Sequence, residues 1–102
     1  MTTKQLAKIY KALSNENRLE IFFNILKCDE KKFEADCDCP ISEIMQKLNI
    51  GAPTISHHLK ELSNAGLIET EKSGKFLVAH GNRELLAELK TVFDIEKSGS
   101  AE

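Results

Sequence analysis

Along most of this chain, apolar residues recur every three or four positions, the spacing that places them on one face of an α-helix. Five segments show this pattern, and each predicts one helix. The apolar positions span residues 6–13, 19–26, 41–48, 55–62 and 85–93. The second helix carries Ile21 and Ile25 beside its main stripe, so we expect it to lie at the centre of the core. Residues 29–40 show no period and predict a long polar loop.

Several residues mark where these helices begin and end. Ser14 or Asn15 is suited to cap the second helix. Pro53 fits the first turn of the fourth helix, where a missing N–H costs nothing. Gly66 follows the last turn of that helix, a position that favours a left-handed backbone.

Between the fourth and fifth helices the pattern changes to two short β-rich runs. Residues 67–72 and 75–80 flank the pair Ser73-Gly74. Two such runs joined by a tight turn with glycine predict a β-hairpin.

The third and fourth helices are separated only by Asn49, Ile50 and Gly51. A connection of three or four residues containing glycine is typical of a helix-turn-helix. Together with the hairpin, this predicts a mainly α fold with a β-hairpin wing, in the order α-α-α-α-β-β-α. We expect one winged helix-turn-helix domain over residues 1–96 and a disordered tail over residues 97–102.

The fourth helix, at about residues 52–65, has a polar face suited to DNA. Thr54, Ser56, His57 and Lys60 lie off its apolar stripe. Short hydroxyls, an imidazole and an ammonium group donate hydrogen bonds to base edges and phosphates. His58 falls between the two faces. At the hairpin tip, the positions of Lys72 and Lys75 predict contact with the DNA backbone.

Composition weakens the DNA prediction without removing it. The 102 residues form one modest domain and carry a net charge of −2. Residues 29–38 contain five carboxylates against two lysines, so the remainder is close to neutral. The electrostatic part of DNA binding is therefore expected to be small. The alternative is a winged-helix module that binds proteins and not DNA. We predict no enzyme activity, because no phosphate-binding glycine loop, His-Glu-X-X-His or Gly-X-Ser-X-Gly motif occurs.

The N-terminal segment is amphipathic and lacks the apolar block of a signal peptide, and no apolar run is long enough to cross a membrane. We therefore expect a cytoplasmic protein, without membrane contact, whose thiols are reduced. Cys28, Cys37 and Cys39 then allow three interpretations. They form a thiolate site for As(III), Cu(I) or Zn(II), they form a disulfide on oxidation, or they have no sensing role. No cofactor is required for the fold.

The first and last helices are more apolar than a closed winged core needs. We expect them to pair with a second copy of the chain, since a helix-turn-helix usually reads two half-sites about one DNA turn apart.

Two stretches, KALSNENRLEIFFNIL and ISEIMQKLNIGAPTISHHLKELSNAGLIETEKSGKFL, resemble the ArsR/SmtB family of bacterial winged-helix repressors. The resemblance implies a homodimeric repressor whose fourth helix enters the major groove, whose hairpin contacts flanking DNA and whose terminal helices pair. It places Thr54, Ser56, His57 and Lys60 at recognition positions. Arg18 matches the family's arginine near the start of the second helix, which makes it a further candidate DNA contact.

Many relatives release DNA when a metal, metalloid or oxidant binds, and two of the family's site types can be compared with this chain. At one, a Cys-X-Cys pair on the third helix, this chain has Pro40 and Ser42, with Cys37 and Cys39 slightly earlier. At the other, the last helix supplies histidine ligands, but residues 83–95 contain none. The resemblance therefore does not identify the signal.

Overall fold

The computed structural model of the chain describes residues 1–35 and 41–100, with only the backbone described for residues 29–35, 73 and 93–100. It confirms the mainly α fold and the predicted order of elements. The elements are α1 (Thr3–Leu13), α2 (Glu16–Ala35), α3 (Ile41–Leu48), α4 (Ala52–Asn64), β1 (Ile68–Ser73), β2 (Phe76–Gly81) and α5 (Arg83–Ser100).

Helix α2 is longer than the sequence pattern predicts. It continues to Ala35, so the predicted loop is wrong for residues 29–35, and Cys28 lies within the helix. The segment DEKKFEA consists largely of strong helix formers and contains neither glycine nor proline. Such a segment can extend a helix without an apolar stripe. The spacing of apolar residues therefore did not predict this part of α2. Residues 36–40 of the predicted loop lie outside the described residues.

Helix α5 also exceeds its predicted length, because it runs to Ser100. It thus overlaps the segment from residue 97 onward for which a tail is expected, and the division at residue 96 stays a prediction. Residues 101 and 102 lie outside the described part of the chain.

The turn between α3 and α4 is fixed by backbone hydrogen bonds. Asn49 adopts a left-handed conformation with φ of 54°. The Ile50 N–H donates to the Met45 carbonyl at 2.9 Å, and the Asn49 N–H donates to the Gln46 carbonyl at 3.3 Å. This pair of backbone hydrogen bonds forms a Schellman motif, which ends a helix within one turn. Gly51 then caps α4 in extended conformation, as the predicted helix-turn-helix requires.

A second Schellman motif ends α4. Gly66 has φ of +80°, and the Leu67 N–H donates to the Leu62 carbonyl at 3.0 Å. Leu62 and Leu67 are both fully buried, which supplies the apolar contact that often accompanies this motif. The predicted role of Gly66 is thus confirmed.

The hairpin forms one residue later than predicted. Strands β1 and β2 are antiparallel, and Ser73 and Phe76 form their last pair. The turn therefore consists of Gly74 and Lys75, and not of Ser73 and Gly74. Gly74 has φ of +64°, whereas Lys75 does not have a positive φ. A left-handed residue at only the first central position is typical of a type II′ turn, which favours glycine there.

The core is centred on α2, as expected. Ile21, Phe22 and Ile25 are almost completely buried. Around them pack apolar residues from α1, α3, α4 and the hairpin, namely Ile9, Ala12, Ile41, Ile44, Ile55, Leu59, Leu62, Leu67, Ile68 and Ala79. Because α4 shares this core, its orientation is set by the whole fold.

Candidate nucleic-acid interface

Helix α4 presents its predicted polar face to solvent. Thr54, Ser56, His57 and Lys60 are all exposed. Ile55, Leu59 and Leu62 on the opposite side are buried and anchor the helix. The structure therefore brings the four predicted recognition residues together on one exposed helix.

A shallow groove of about 250 Å³ separates α4 from the hairpin. Its lining residues are Ser56, Leu59, Lys60, Ser63, Asn64, Thr70 and Leu77. Ser63, Asn64 and Thr70 add donors that the sequence analysis missed. Ser63 follows Ser56 and Lys60 at helical spacing, which is the signal that could have identified it.

The wing tip combines positive charge with apolar surface. Lys72 and Lys75 are exposed, as predicted. The Lys75 ammonium lies 5.9 Å from the centroid of the Phe76 ring, and Phe76 is 47% exposed. Further from the tip, the Glu71 carboxylate lies 3.0 Å from Nε2 of His80. These positions leave the tip lysines directed toward solvent, where a phosphate backbone could approach.

The guanidinium of Arg18 is directed into the protein, and a DNA contact by this residue stays a prediction. Its Nε donates to Nδ1 of His58 at 3.3 Å, and its Nη1 donates to the Ala12 carbonyl at 3.1 Å. The side chain is half-buried between helices. The sequence pattern did not reveal these bonds, because they join Arg18 to groups on two other helices whose packing the pattern does not show.

His58 is buried, with 6% of its surface exposed. Desolvation lowers its pKa below the usual 6.5, and the positive charge of Arg18 and the neighbouring His57 lower the pKa further. Arginine is always a donor, so Nδ1 of His58 must accept the bond and His58 is neutral in this arrangement.

The two adjacent histidines do not form a metal pair. Their ring centroids are 5.8 Å apart, but His57 is exposed while His58 is buried. Among the side chains that the structure describes, in residues 1–28, 41–72 and 74–92, no cluster of three or more His, Cys, Asp or Glu suited to a metal was found.

Of the three cysteines, only Cys28 lies among the described residues. It is half-buried in α2 and disulfide-bonded, and thus differs from the reduced thiol that the sequence led us to expect. Cys37 and Cys39 lie outside the described part of the chain. Among the described residues, no helix is both long enough and apolar enough to cross a bilayer.

Similarity to known proteins agrees with this geometry. The model of "Bacterial regulatory protein, arsR family" matches residues 35–70. The arsenical resistance operon repressor of Staphylococcus xylosus is 34% identical over 95 residues, which cover 93% of this chain and 83% of that protein. The cadmium resistance transcriptional regulatory protein CadC of Listeria innocua is 33% identical over 75 residues, which cover 74% of this chain and 56% of CadC. This chain thus matches little more than half of the length of CadC.

Two solved structures share the fold. The ArsR-like transcriptional regulator from Rhodococcus sp. RHA1 superposes with a TM-score of 0.70 at 27% identity, covering 95% of this chain and 81% of that one. The homodimeric winged helix-turn-helix DNA-binding domain Mb0332 from Mycobacterium bovis superposes with a TM-score of 0.65 at 23% identity, covering 97% of this chain and 83% of that one.

The fold and the exposed polar helix define a winged helix-turn-helix regulator of transcription, a class of DNA-binding proteins and not of enzymes. Within that class, the chain belongs to the arsR family of bacterial regulatory proteins.

Proposed function

We propose that this protein is a homodimeric, sequence-specific repressor that binds double-stranded operator DNA with α4 in the major groove. The observation that carries the proposal is the exposed set on α4: Ser56, His57 and Lys60 all face solvent, and Ser56 and Lys60 also line the groove between α4 and the wing. The arsenical and cadmium relatives are named as a repressor and a transcriptional regulatory protein, which supports repression as the outcome. Because its target is the chromosome or a plasmid, we place the protein in the cytoplasm.

The proposed contacts divide into two groups. Thr54, Ser56, His57 and Lys60 would contact base edges and the nearest phosphates. Lys72 and Lys75 on the wing would contact the backbone of flanking DNA without reading its sequence. Few lysines take part, so we expect moderate affinity and a shallow dependence on salt.

The proposed dimer pairs α1 and α5 of the two copies. Tyr10 on α1 is 41% exposed, and Leu86, Leu89 and Val92 on α5 are only half-buried. Covering this apolar surface with a second copy would stabilise the pair and place two recognition helices on one operator. The M. bovis domain with this fold is described as homodimeric.

We further propose that thiol chemistry at Cys28, Cys37 and Cys39 releases the protein from DNA. The disulfide at Cys28 supports an oxidative signal, in which two thiols lose two protons and two electrons to an oxidant or persulfide. The arsenical and cadmium relatives support the other version, in which thiolates bind a soft ion.

The test is a fluorescence-anisotropy titration onto DNA from the protein's own promoter. Reduced protein is titrated first, and As(III), Cd(II), Cu(I), Zn(II) or a persulfide donor is then added. We expect tight binding that one of these additives reverses, and we expect Cys37→Ser/Cys39→Ser and Cys28→Ser to bind without being released.

Each other outcome has a clear meaning. Release that persists in the cysteine variants would exclude thiol sensing while retaining the repressor. Failure of the reduced protein to bind any segment of the promoter would favour the alternative, a winged-helix module that binds proteins.

A further inference from the structure

We propose that Arg18 is a positioning residue for the recognition helix, and that it acts through a hydrogen bond to neutral His58 which protonation of His58 breaks. The inference rests on the proposed DNA-binding role of α4. It adds a pH-dependent control of that role, located on the buried side of the helix.

One guanidinium connects three helices at this point. Arg18 lies in the first turn of α2, where its own N–H donates to Oδ1 of the capping residue Asn15 at 3.0 Å. Its Nη1 donates to the Ala12 carbonyl near the end of α1, and its Nε donates to Nδ1 of His58 in the middle of α4. The orientation of α4 relative to α1 and α2 is therefore held by a directional contact in addition to apolar packing.

The bond from Arg18 to His58 depends on the charge of the imidazole. A guanidinium has no acceptor and does not lose its proton, so Nδ1 must supply a lone pair. Protonated His58 would present an N–H to the Arg18 N–H and place two positive charges in a partly buried site. Burial of His58 acts in the same direction, because desolvation disfavours the charged ring.

The charged groups around this contact are mainly positive. Arg18 of α2 and the adjacent His57 of α4 face His58. Beside Arg18, a groove of about 450 Å³ is lined by Lys8 and Lys11 of α1 and by Glu61 of α4. Glu61 is the one carboxylate among these groups, so the site as a whole opposes a further positive charge.

His58 lies within the segment whose exposed side is expected to read DNA. Ser56 and His57 precede it, and Lys60 follows it within one turn. Base contacts depend on distance and angle, so a small shift of α4 against α1 and α2 changes all of these contacts together. We therefore expect protonation of His58 to weaken operator binding.

The direct experiment measures operator affinity by anisotropy from about pH 8 to about pH 5.5, the range in which histidines titrate, at constant ionic strength. All proteins carry His57→Gln, so that His58 is the only histidine of α4 in the comparison. The ring signals of His58 are followed by NMR over the same range. We expect affinity to fall about tenfold as the pH decreases, with a midpoint that coincides with the titration of His58.

Two variants separate positioning from general stability. His58→Gln keeps an oxygen that can accept from Arg18 but cannot titrate, so we expect near-normal affinity at high pH and a flat pH profile. Arg18→Lys loses the two guanidinium hydrogen bonds that join α1 to α4. We expect this variant to be folded by circular dichroism but to bind operator more weakly at all pH values. Arg83→Lys is the matched control, since Arg83 also donates to a backbone carbonyl, that of Leu26. It should leave the profile unchanged.

The proposal is overturned if His58→Gln keeps the pH dependence, or if folded Arg18→Lys binds operator as the parent does. It remains testable if no promoter DNA is bound. In that case the backbone amides of Ser56 and Lys60 should shift with the titration of His58, and amides that are insensitive to it would refute the positioning role. Failure of the DNA-binding proposal is thereby distinguished from failure of this one.

Discussion

At the level of single residues, α4 gives two neighbouring histidines opposite environments. Adjacent residues on a helix point about 100° apart, so His57 reaches solvent while His58 lies against α1 and α2. His57 is thereby available for DNA together with Ser56. His58 instead contributes to how the helix is held. Two successive histidines thus differ in role: His57 is exposed and available to DNA, and His58 is buried and helps to position the helix.

Removing the two external groups should weaken operator binding without unfolding the protein. For Ser56→Ala/His57→Ala we expect a loss of about 2–4 kcal/mol in binding free energy, the scale of one or two base contacts. Anisotropy with operator and with unrelated DNA measures the loss and the change in specificity. Lys90→Ala, an exposed change on α5, is the control. Normal operator binding by the folded double variant would show that another surface reads the DNA.

Sequence patterns predict exposed residues better than they predict contacts between elements. The apolar stripe of α4 indicated which side of the helix is buried. The exposure of Thr54, Ser56 and Lys60 followed from it. Arg18 could not be placed in this way, because its long side chain reaches groups on α1 and α4. Those contacts depend on how the three helices pack, and helix packing leaves no period in the sequence.

At the level of elements, the ends of helices and strands are joined by a few polar groups. Asn82 is the main example. Its Oδ1 accepts from the Leu85 N–H at 3.1 Å, which caps α5, and its Nδ2 donates to the Gly66 carbonyl at 3.0 Å. Its backbone N–H donates to the Leu67 carbonyl at 2.8 Å. One residue therefore connects the turn after α4 with the start of α5.

Asn82→Ala should lower the free energy of unfolding by about 1–2 kcal/mol, the usual cost of losing a helix cap. Urea denaturation at one fixed protein concentration measures it, since a dimer would make stability depend on concentration. Asn82→Asp keeps the capping oxygen but loses the donor to Gly66, so we expect an intermediate cost. Asn64→Ala, at an exposed site, is the control. Equal stability of Asn82→Ala and the parent would contradict this role.

The wing should contribute affinity without specificity. Lys75→Ala is expected to weaken binding to all DNA sequences alike and to reduce the slope of log affinity against log salt by about 1. The measurement is a salt series by anisotropy, with Lys90→Ala on α5 as the matched lysine control. A slope equal to that of the parent would remove Lys75 from the contact surface.

Element lengths were the least predictable part of the fold. The apolar period identified all five helices, but it stopped before the last two turns of α2 and the end of α5, where the sequence is largely polar. The hairpin was identified from its β-rich runs, and its turn was displaced by one residue, because Ser73 and Lys75 are both acceptable beside Gly74 until the strand pairing is known.

At the level of the whole molecule, recognition and stability share one core. Helix α4 buries Ile55, His58, Leu59 and Leu62 against the other helices. A change that weakens the packing of α4 therefore affects both the free energy of unfolding and the position of the DNA-reading face. His58 is the only titratable side chain in this buried set, so we expect pH to act on both properties through it.

The stability of the protein should consequently fall as the solution is acidified. The folded state holds the pKa of His58 below 6.5, the value that applies when the chain is unfolded. At pH values between the two, the unfolded state binds more protons, so the free energy of unfolding decreases with decreasing pH. The loss begins near pH 6.5, and its His58 contribution is complete once the pH is below the folded-state pKa.

Urea denaturation at several pH values measures this, and the difference between the parent and His58→Gln isolates the contribution of His58. The subtraction also removes the contribution of every other titratable group that the two proteins share. We expect stability to decline less steeply between neutral and mildly acidic pH in His58→Gln than in the parent. His57→Gln, at the exposed neighbouring position, should retain most of the steeper decline, because His57 is the smallest of the three causes that lower the pKa of His58. Parallel curves for the parent and His58→Gln would mean that His58 is protonated as readily in the folded protein as in the unfolded chain, and a preference of the Arg18 contact for the neutral ring would then be excluded.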